Sequence, residues 1–382
     1  MDSFETFPEQ AEAKRLLRAA LAEGPAHAYL LHGPPGVGKR RAAIVFAGEL
    51  LGGSEPAARA EPGRPPGGAA EASPFDRVAR GSHPDLYLLE PLGDQIRIDD
   101  IRALRRDLHM RPFEAQRRVY VILGAETMNE DAADALLKDL EEPPQYAVIL
   151  LVANDLGPLP ETIRSRCQLV PFRRLSERAV REELETRAPD LSPEERTALA
   201  RVAAGRLDRA TRLLDPAAAR RRETLIDVAR AVYLDPAFEA AGASQALMDG
   251  IAERGTEAKE LAEAQLRLLD LPAREAEQRV RRAQRGAERE ELLAALEELA
   301  AWYRDLVVVA AGAEQAVIHY DRLADLSDDA LRERMLGAER ACEHVRETWR
   351  AFEEFQLSAG LALEALFVQL RRELAGPSLA AV

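Results

Sequence analysis

The sequence predicts a parallel α/β sheet domain followed by a second region built wholly of helices. Three observations carry this. Apolar runs such as Ala147-Val148-Ile149-Leu150-Leu151-Val152 do not alternate with polar residues, so both of their faces must be covered. Helical patterns separate these runs, which is the order of a parallel sheet. From Ser176 onward no strand pattern survives, and Ala, Leu, Glu and Arg dominate a long helical stretch.

Taken in order, Pro8 to Ala22 places Ala11, Leu16, Leu17, Ala20 and Leu21 at helical spacing. Ala28 to His32 is the first strand, and Arg41 to Leu51 a helix behind a glycine- and proline-rich turn. Gly52 to Ala72 has no periodicity and is expected to be a flexible surface insertion, with regular order resuming at His83-Pro84-Asp85, so that 52–82 interrupts the domain. Leu86 to Leu89 is the next strand and Ile98 to Leu108 a helix with Asp99 or Asp100 near its start. Arg118 to Leu123 is a buried strand, and Met128-Asn129 opens a helix through Lys138. The strand Ala147 to Val152 ends at Asn154, and Gln168 to Phe172 is a last short strand. Ser176 to Leu214 reads as three short helices punctuated by Pro189, Pro193 and Gly205. Beyond Asp215-Pro216, the residues Trp302, Tyr303, Trp349, Phe352 and Phe355 fall on helical periods as core anchors rather than base-stacking groups.

Composition limits the function. A chain of 382 residues holds two or three domains. Its 52 basic and 66 acidic residues leave a net charge of −14, a poor basis for gripping nucleic acid over a large surface. Two cysteines, Cys167 and Cys342, support neither a disulfide framework nor a four-ligand zinc site. No apolar run reaches membrane-spanning length and Met1-Asp2-Ser3-Phe4-Glu5 has no signal-peptide character, so a cytoplasmic location and no membrane partner are expected.

The chemistry concentrates at Gly33-Pro34-Pro35-Gly36-Val37-Gly38-Lys39-Arg40, between the first strand and its helix. Gly-x-x-x-x-Gly-Lys is the Walker A spacing, in which backbone N–H groups wrap a phosphate and the lysine reaches the outer phosphates. The next position calls for a Ser or Thr hydroxyl on Mg²⁺, and Arg40 stands there. In a working ATPase of this kind an acidic strand end holds the metal and orients water. Here Leu123-Gly124 occupies that point, and Glu126, two or three positions late, is expected to aim elsewhere. The two departures together predict a chain that does not hydrolyse ATP. A second stretch, Ile163-Arg164-Ser165-Arg166-Cys167-Gln168, follows the turn Gly157-Pro158-Leu159-Pro160. An arginine at such an edge can stabilise transition-state charge on a neighbour's γ-phosphate, although on these residues alone a plain surface pair is the better reading.

Together with His83-Pro84-Asp85, Arg111-Pro112-Phe113-Glu114, Met128-Asn129, Ala135-Leu136-Leu137-Lys138 and Leu140-Glu141-Glu142-Pro143-Pro144, these motifs make the chain resemble the delta-prime branch of bacterial DNA polymerase III clamp-loader subunits, within the AAA+ family. The likeness runs from Phe4 to Leu214 and more loosely through Trp302-Tyr303-Arg304-Asp305-Leu306. It implies an AAA+ P-loop domain over 1–175, a helical lid over 176–215 and a helical oligomerisation collar over 216–382. It also implies Arg166 as an arginine finger acting in trans, Asn154 as the sensor-1 residue, and Arg209, within Gly205-Arg206-Leu207-Asp208-Arg209-Ala210, as the sensor-2 residue. The partners implied are tau/gamma ATPase subunits and a delta subunit in a hetero-pentamer, with the sliding clamp and primer-template DNA reached through the complex. The family's four-cysteine zinc module before His-Pro-Asp has no counterpart here, so no zinc is expected. A tau/gamma-like or solitary ATPase is the rival reading, and whether ATP binds without hydrolysis stays open.

Overall fold

The computed structural model describes residues 2–52, 74–91, 95–267, 273–355 and 357–375. Most of the expected insertion, 53–72, lies outside them. The described chain divides into two compact units. Among the described residues, 2–52, 74–91, 95–179 and 205–208 form the first; 180–204, 209–267, 273–355 and 357–375 form the second.

The first unit is built on five parallel strands: β1 (Ala28–His32), β2 (Leu86–Leu89), β3 (Arg118–Leu123), β4 (Ala147–Ala153) and β5 (Gln168–Pro171), in the order β2-β3-β4-β1-β5. Every residue of β3 and β4 is buried, because successive side chains point to opposite faces and both faces are covered. Tyr29, Leu31, Val121, Leu150 and Val152 meet Leu17 and Phe46 on one face. Leu30, Tyr120, Ile122, Ile149 and Leu151 meet Ile101, Leu104 and Leu136 on the other. Burying each such aliphatic side chain contributes about 1.5–3 kcal/mol, so a one-residue slip in register would exchange two complete sets of contacts.

Helices α1 (Ala11–Glu23), α2 (Lys39–Gly52), α3 (Pro74–Ala79), α4 (Ile98–Leu108), α5 (Glu130–Glu141) and α6 (Glu161–Arg164) cover the sheet. Helix α5 begins where Asn129 caps it, its side chain accepting the Ala132 N–H. Helix α3 corrects the expected extent of the insertion. The stretch 74–79 is helical, Val78 is buried, and the Phe75 ring lies close over Gly48 of α2, where a Cβ would stand 2.6 Å from it. Two apolar residues three apart suffice to dock a short helix, a signal too brief for periodicity to register.

Helices α7 (Glu177–Arg187), α8 (Pro193–Val202) and α9 (Leu207–Leu213) follow, matching the three short helices expected. The rest is α10 (Pro216–Leu234), α11 (Ala240–Leu266), α12 (Ala273–Ala310), α13 (Leu323–Asp329), α14 (Met335–Glu354) and α15 (Ala359–Leu374). Trp302 and Tyr303 are fully buried in its core among Tyr233, Leu299, Leu366 and Phe367. Trp302 donates its indole N–H to the Tyr233 hydroxyl, which donates to Asp329. Phe352 is buried and Trp349 half-buried, but Phe355 is 61% exposed. Phe355 follows the last residue of α14 in extended conformation, so the helical spacing that pointed it inward no longer applies there. No helix among the described residues is long and apolar enough to cross a membrane.

Candidate functional site

The loop between β1 and α2 carries the geometry its spacing calls for. A helix start leaves backbone N–H groups without partners inside the helix, and glycines let the preceding chain fold around that point. Gly33 has φ of +136° and a Cβ there would lie 2.2 Å from the Phe172 carbonyl oxygen. Gly36 has φ of +69°, and a Cβ there would lie 1.7 Å from Asp208 Oδ1. Both positions demand glycine for conformation and for room. Val37 is buried beneath the loop, and the Gly36 carbonyl accepts the Leu207 N–H at 2.8 Å.

Lys39 is 4% exposed. Its Nζ donates to the carbonyls of Gly33 at 2.6 Å and of Pro34. Burial presses its pKa down to about 8, against the pull of the Glu126 and Asp208 carboxylates and with the help of Arg206. Pro34 and Pro35 stiffen the turn. Arg40 points outward, its guanidinium 2.5 Å from Glu90 in an exposed pair. Lys39 and the loop amides are groups of the kind that hold phosphate, and Arg40 offers Mg²⁺ no hydroxyl ligand.

Glu126 is not aimed elsewhere, contrary to expectation. Gly124 is left-handed (φ +63°) and the following 3₁₀ turn, Ala125–Thr127, folds the chain back toward the loop. The Glu126 carboxylate lies near Asn154 and feels the charge of Lys39. Its Oε2 is buried without a hydrogen-bond partner. Burial raises its pKa. Asn154, just past β4, thus reaches this site through Glu126. A strand-end alignment misses this, because the displacement in sequence is undone by one positive-φ glycine.

Arg209 belongs to the second unit. Its guanidinium pairs with Glu298 of α12 in the second unit. The arginine that faces Lys39 is Arg206, which lowers the lysine pKa and is itself forked onto Asp208, Nε to Oδ1 at 3.1 Å and Nη2 to Oδ2 at 2.8 Å. Arg206 precedes the helix Leu207–Leu213 and Arg209 lies within it, so a helical count from one does not fix where the other points.

Arg166 sits in a separate place, on the turn between α6 and β5. Its Nη1 donates to the Thr162 carbonyl at 2.8 Å and its Nη2 lies 2.5 Å from Glu141 Oε1, at the end of α5. Two motifs far apart in sequence meet here, and neither partner belongs to the phosphate loop. Beside it, burial pushes the Cys167 thiol up to about 12, so it is inert.

A further pair of motifs also meets. Asp85 is wholly buried and accepts three backbone N–H groups, from Phe113 at 2.6 Å, Glu114 at 2.9 Å and Ala115 at 2.8 Å. His83 Nδ1 accepts the Asp85 N–H, which puts its proton on Nε2, 3.0 Å from Glu114. His83-Pro84-Asp85 is a staple between β2 and the turn before β3, not part of the phosphate site.

The parallel sheet with a glycine-rich loop between β1 and α2 has the arrangement of a P-loop α/β domain. Residues 9–176 match the family model described as DNA polymerase III, delta subunit. The DNA polymerase III subunit delta' of Bacillus subtilis is 35% identical over 161 residues, 41% of this chain and 45% of that protein. The delta' subunit of Pseudomonas aeruginosa is 41% identical over 144 residues, 37% and 42% of the two chains. Bacillus subtilis DNA polymerase III subunit tau is 32% identical over 167 residues, 44% of this chain and 28% of tau. The chain spans less than half the length of these relatives, and within that span it is similar to DNA polymerase III delta' and tau subunits.

Proposed function

We propose that this chain is the non-motor, delta-prime-like member of a clamp loader. It assembles with tau/gamma ATPase subunits and a delta subunit and presents Arg166 to ATP held by a neighbour. It thereby supports ATP-driven loading of a sliding clamp onto primed DNA in the cytoplasm. The observation that carries this reading is the position of Arg166: Glu141 and Thr162 hold its guanidinium, and no phosphate-loop residue does. Arg40, paired with Glu90 where a metal-ligand hydroxyl belongs, adds that γ-phosphate cleavage is not served by this chain's own loop. In this role the loop holds nucleotide, if at all, without turning it over, and no zinc is required.

One observation favours a second reading, a tau/gamma-like ATPase. Glu126 reaches the loop lysine and Asn154, an arrangement that could orient a water. Mixing the purified chain with tau/gamma and delta subunits of its own organism separates the two. A stable hetero-oligomer on gel filtration that forms only with this chain supports the delta-prime role. An isolated chain that hydrolyses Mg·ATP, with hydrolysis abolished by Lys39→Ala, supports the rival.

A further inference from the structure

The phosphate loop carries its own anion. Gly36 lies under the Asp208 carboxylate so closely that a single added Cβ would overlap Oδ1, and the neighbouring Leu207 N–H is bonded to the Gly36 carbonyl at 2.8 Å. Asp208 is in turn clasped by both edges of the Arg206 guanidinium, whose side chain is only 13% exposed. The two cations a phosphate would seek are therefore engaged within the chain. Lys39 donates to the carbonyls of Gly33 and Pro34, and Arg206 is forked onto Asp208. A bidentate guanidinium–carboxylate pair has the geometry and charge of the guanidinium–phosphate pair it would have to give way to.

We propose that the Arg206–Asp208 pair is a latch on the phosphate loop: the chain's own carboxylate covers Gly36, and a polyphosphate binds only when that pair opens. The latch rests on reading Gly33 to Lys39 as a phosphate loop. It adds to that reading the residue that withholds the site. When the pair opens, Asp208 leaves the face of Gly36 and Arg206 is released to the ligand, so a diphosphate or triphosphate gains one cation and loses one facing anion in the same step. The ligand class is a polyphosphate, either of a nucleotide or inorganic. Asp208 is partly solvent-exposed, so its removal is worth about tenfold in affinity rather than the far larger factor a buried charge would give.

The test is calorimetric titration of the full chain with pyrophosphate and, separately, with ATP in the absence of Mg²⁺. The proteins are wild type, Lys39→Ala, Asp208→Asn, Asp208→Ser and Lys39→Ala combined with Asp208→Asn, each checked for an unchanged thermal melt. The latch predicts that both Asp208 variants bind pyrophosphate about tenfold tighter than wild type, and that the added Lys39→Ala abolishes the gain. An equal gain with ATP assigns the loop to a nucleotide; a gain confined to pyrophosphate assigns an inorganic polyphosphate. Wild type that binds in a Lys39-dependent manner, with folded Asp208 variants no tighter, overturns the latch and leaves the phosphate loop standing. If no folded protein binds either ligand, the latch and the phosphate-loop reading fall together.

Discussion

Replacing Asp85 with alanine should unfold the sheet domain at markedly lower denaturant. Asp85 is wholly buried and its two oxygens accept three backbone N–H groups of the turn Phe113-Glu114-Ala115, with Arg118 Nε 3.9 Å away. A hydrogen bond to a charged group contributes about 1.5–3 kcal/mol, and the three share one carboxylate, so their losses do not add fully. Water can reach part of the turn, since Phe113 is 70% exposed. The balance is a cost of about 3–5 kcal/mol for Asp85→Ala, in the range seen when one partner of a buried pair is removed, and about 2–3 kcal/mol for Asp85→Asn, which keeps an acceptor. Burial alone would raise the Asp85 pKa, but the Ala115, Phe113 and Glu114 N–H groups outweigh it and hold it below the usual aspartate value. A depressed folded pKa gives stability that is present above the unfolded value near 4 and lost as pH falls through the folded one. The gap between wild type and Asp85→Asn should therefore close in acid. Both tryptophans, Trp302 and Trp349, lie in the helical unit, so their fluorescence does not follow the sheet domain. The assay is urea unfolding by circular dichroism, together with hydrogen exchange at Phe113 to Ala115. A cost for Asp85→Ala below about 1 kcal/mol, with those amides still protected, would refute the staple.

Three further outcomes are expected. His319 is fully buried with Nδ1 2.8 Å from Asp305 and Nε2 3.0 Å from Glu298. Burial opposes its charge, the two carboxylates prevail over it and over Arg222, and its pKa is raised above 6.5. Its stabilisation is thus complete below pH 6.5 and lost as pH rises through the folded value. His319→Gln should cost about 2–4 kcal/mol at pH 6 and less at pH 9, followed by fluorescence of Trp302, whose ring lies 5.3 Å away; a cost that grows with pH contradicts this. Phosphate release by the isolated chain at saturating Mg·ATP should not exceed background, and turnover abolished by Lys39→Ala would count against the non-motor reading. Protein purified without added metal should contain no stoichiometric zinc by elemental analysis, and one zinc per chain would show that other ligands replace the absent cysteine module.

The sheet was open to sequence reasoning because its central strands β3 and β4 are continuous apolar runs whose faces both fill; every strand from Ala28–His32 to Gln168–Pro171 falls where the pattern puts it. The loop was equally plain, since Gly-x-x-x-x-Gly-Lys has few uses between a strand and a helix. What escaped was direction. Glu126 returns to Lys39 through one left-handed glycine, and Arg206, the residue just before the helix Leu207–Leu213, is the arginine whose charge Lys39 feels. Phe355 misleads for a related reason: a periodic count does not announce where the helix stops. The pairings Asp85 with Phe113 to Ala115, and Glu141 with Arg166, join segments about 25 or more residues apart. Each half is visible as a motif, and only the fold shows that the halves touch.

The central claim is that Arg166 acts on a nucleotide held by another subunit. An arginine finger contributes on the order of 10³-fold or more to turnover at the site it serves. The decisive measurement is clamp- and DNA-stimulated ATP hydrolysis by the complex of this chain with tau/gamma and delta subunits, comparing wild type with Arg166→Ala. The account predicts a complex that still assembles, loses the turnover of the one site facing Arg166, and loads clamps more slowly. A complex that assembles and retains wild-type hydrolysis and loading would contradict it.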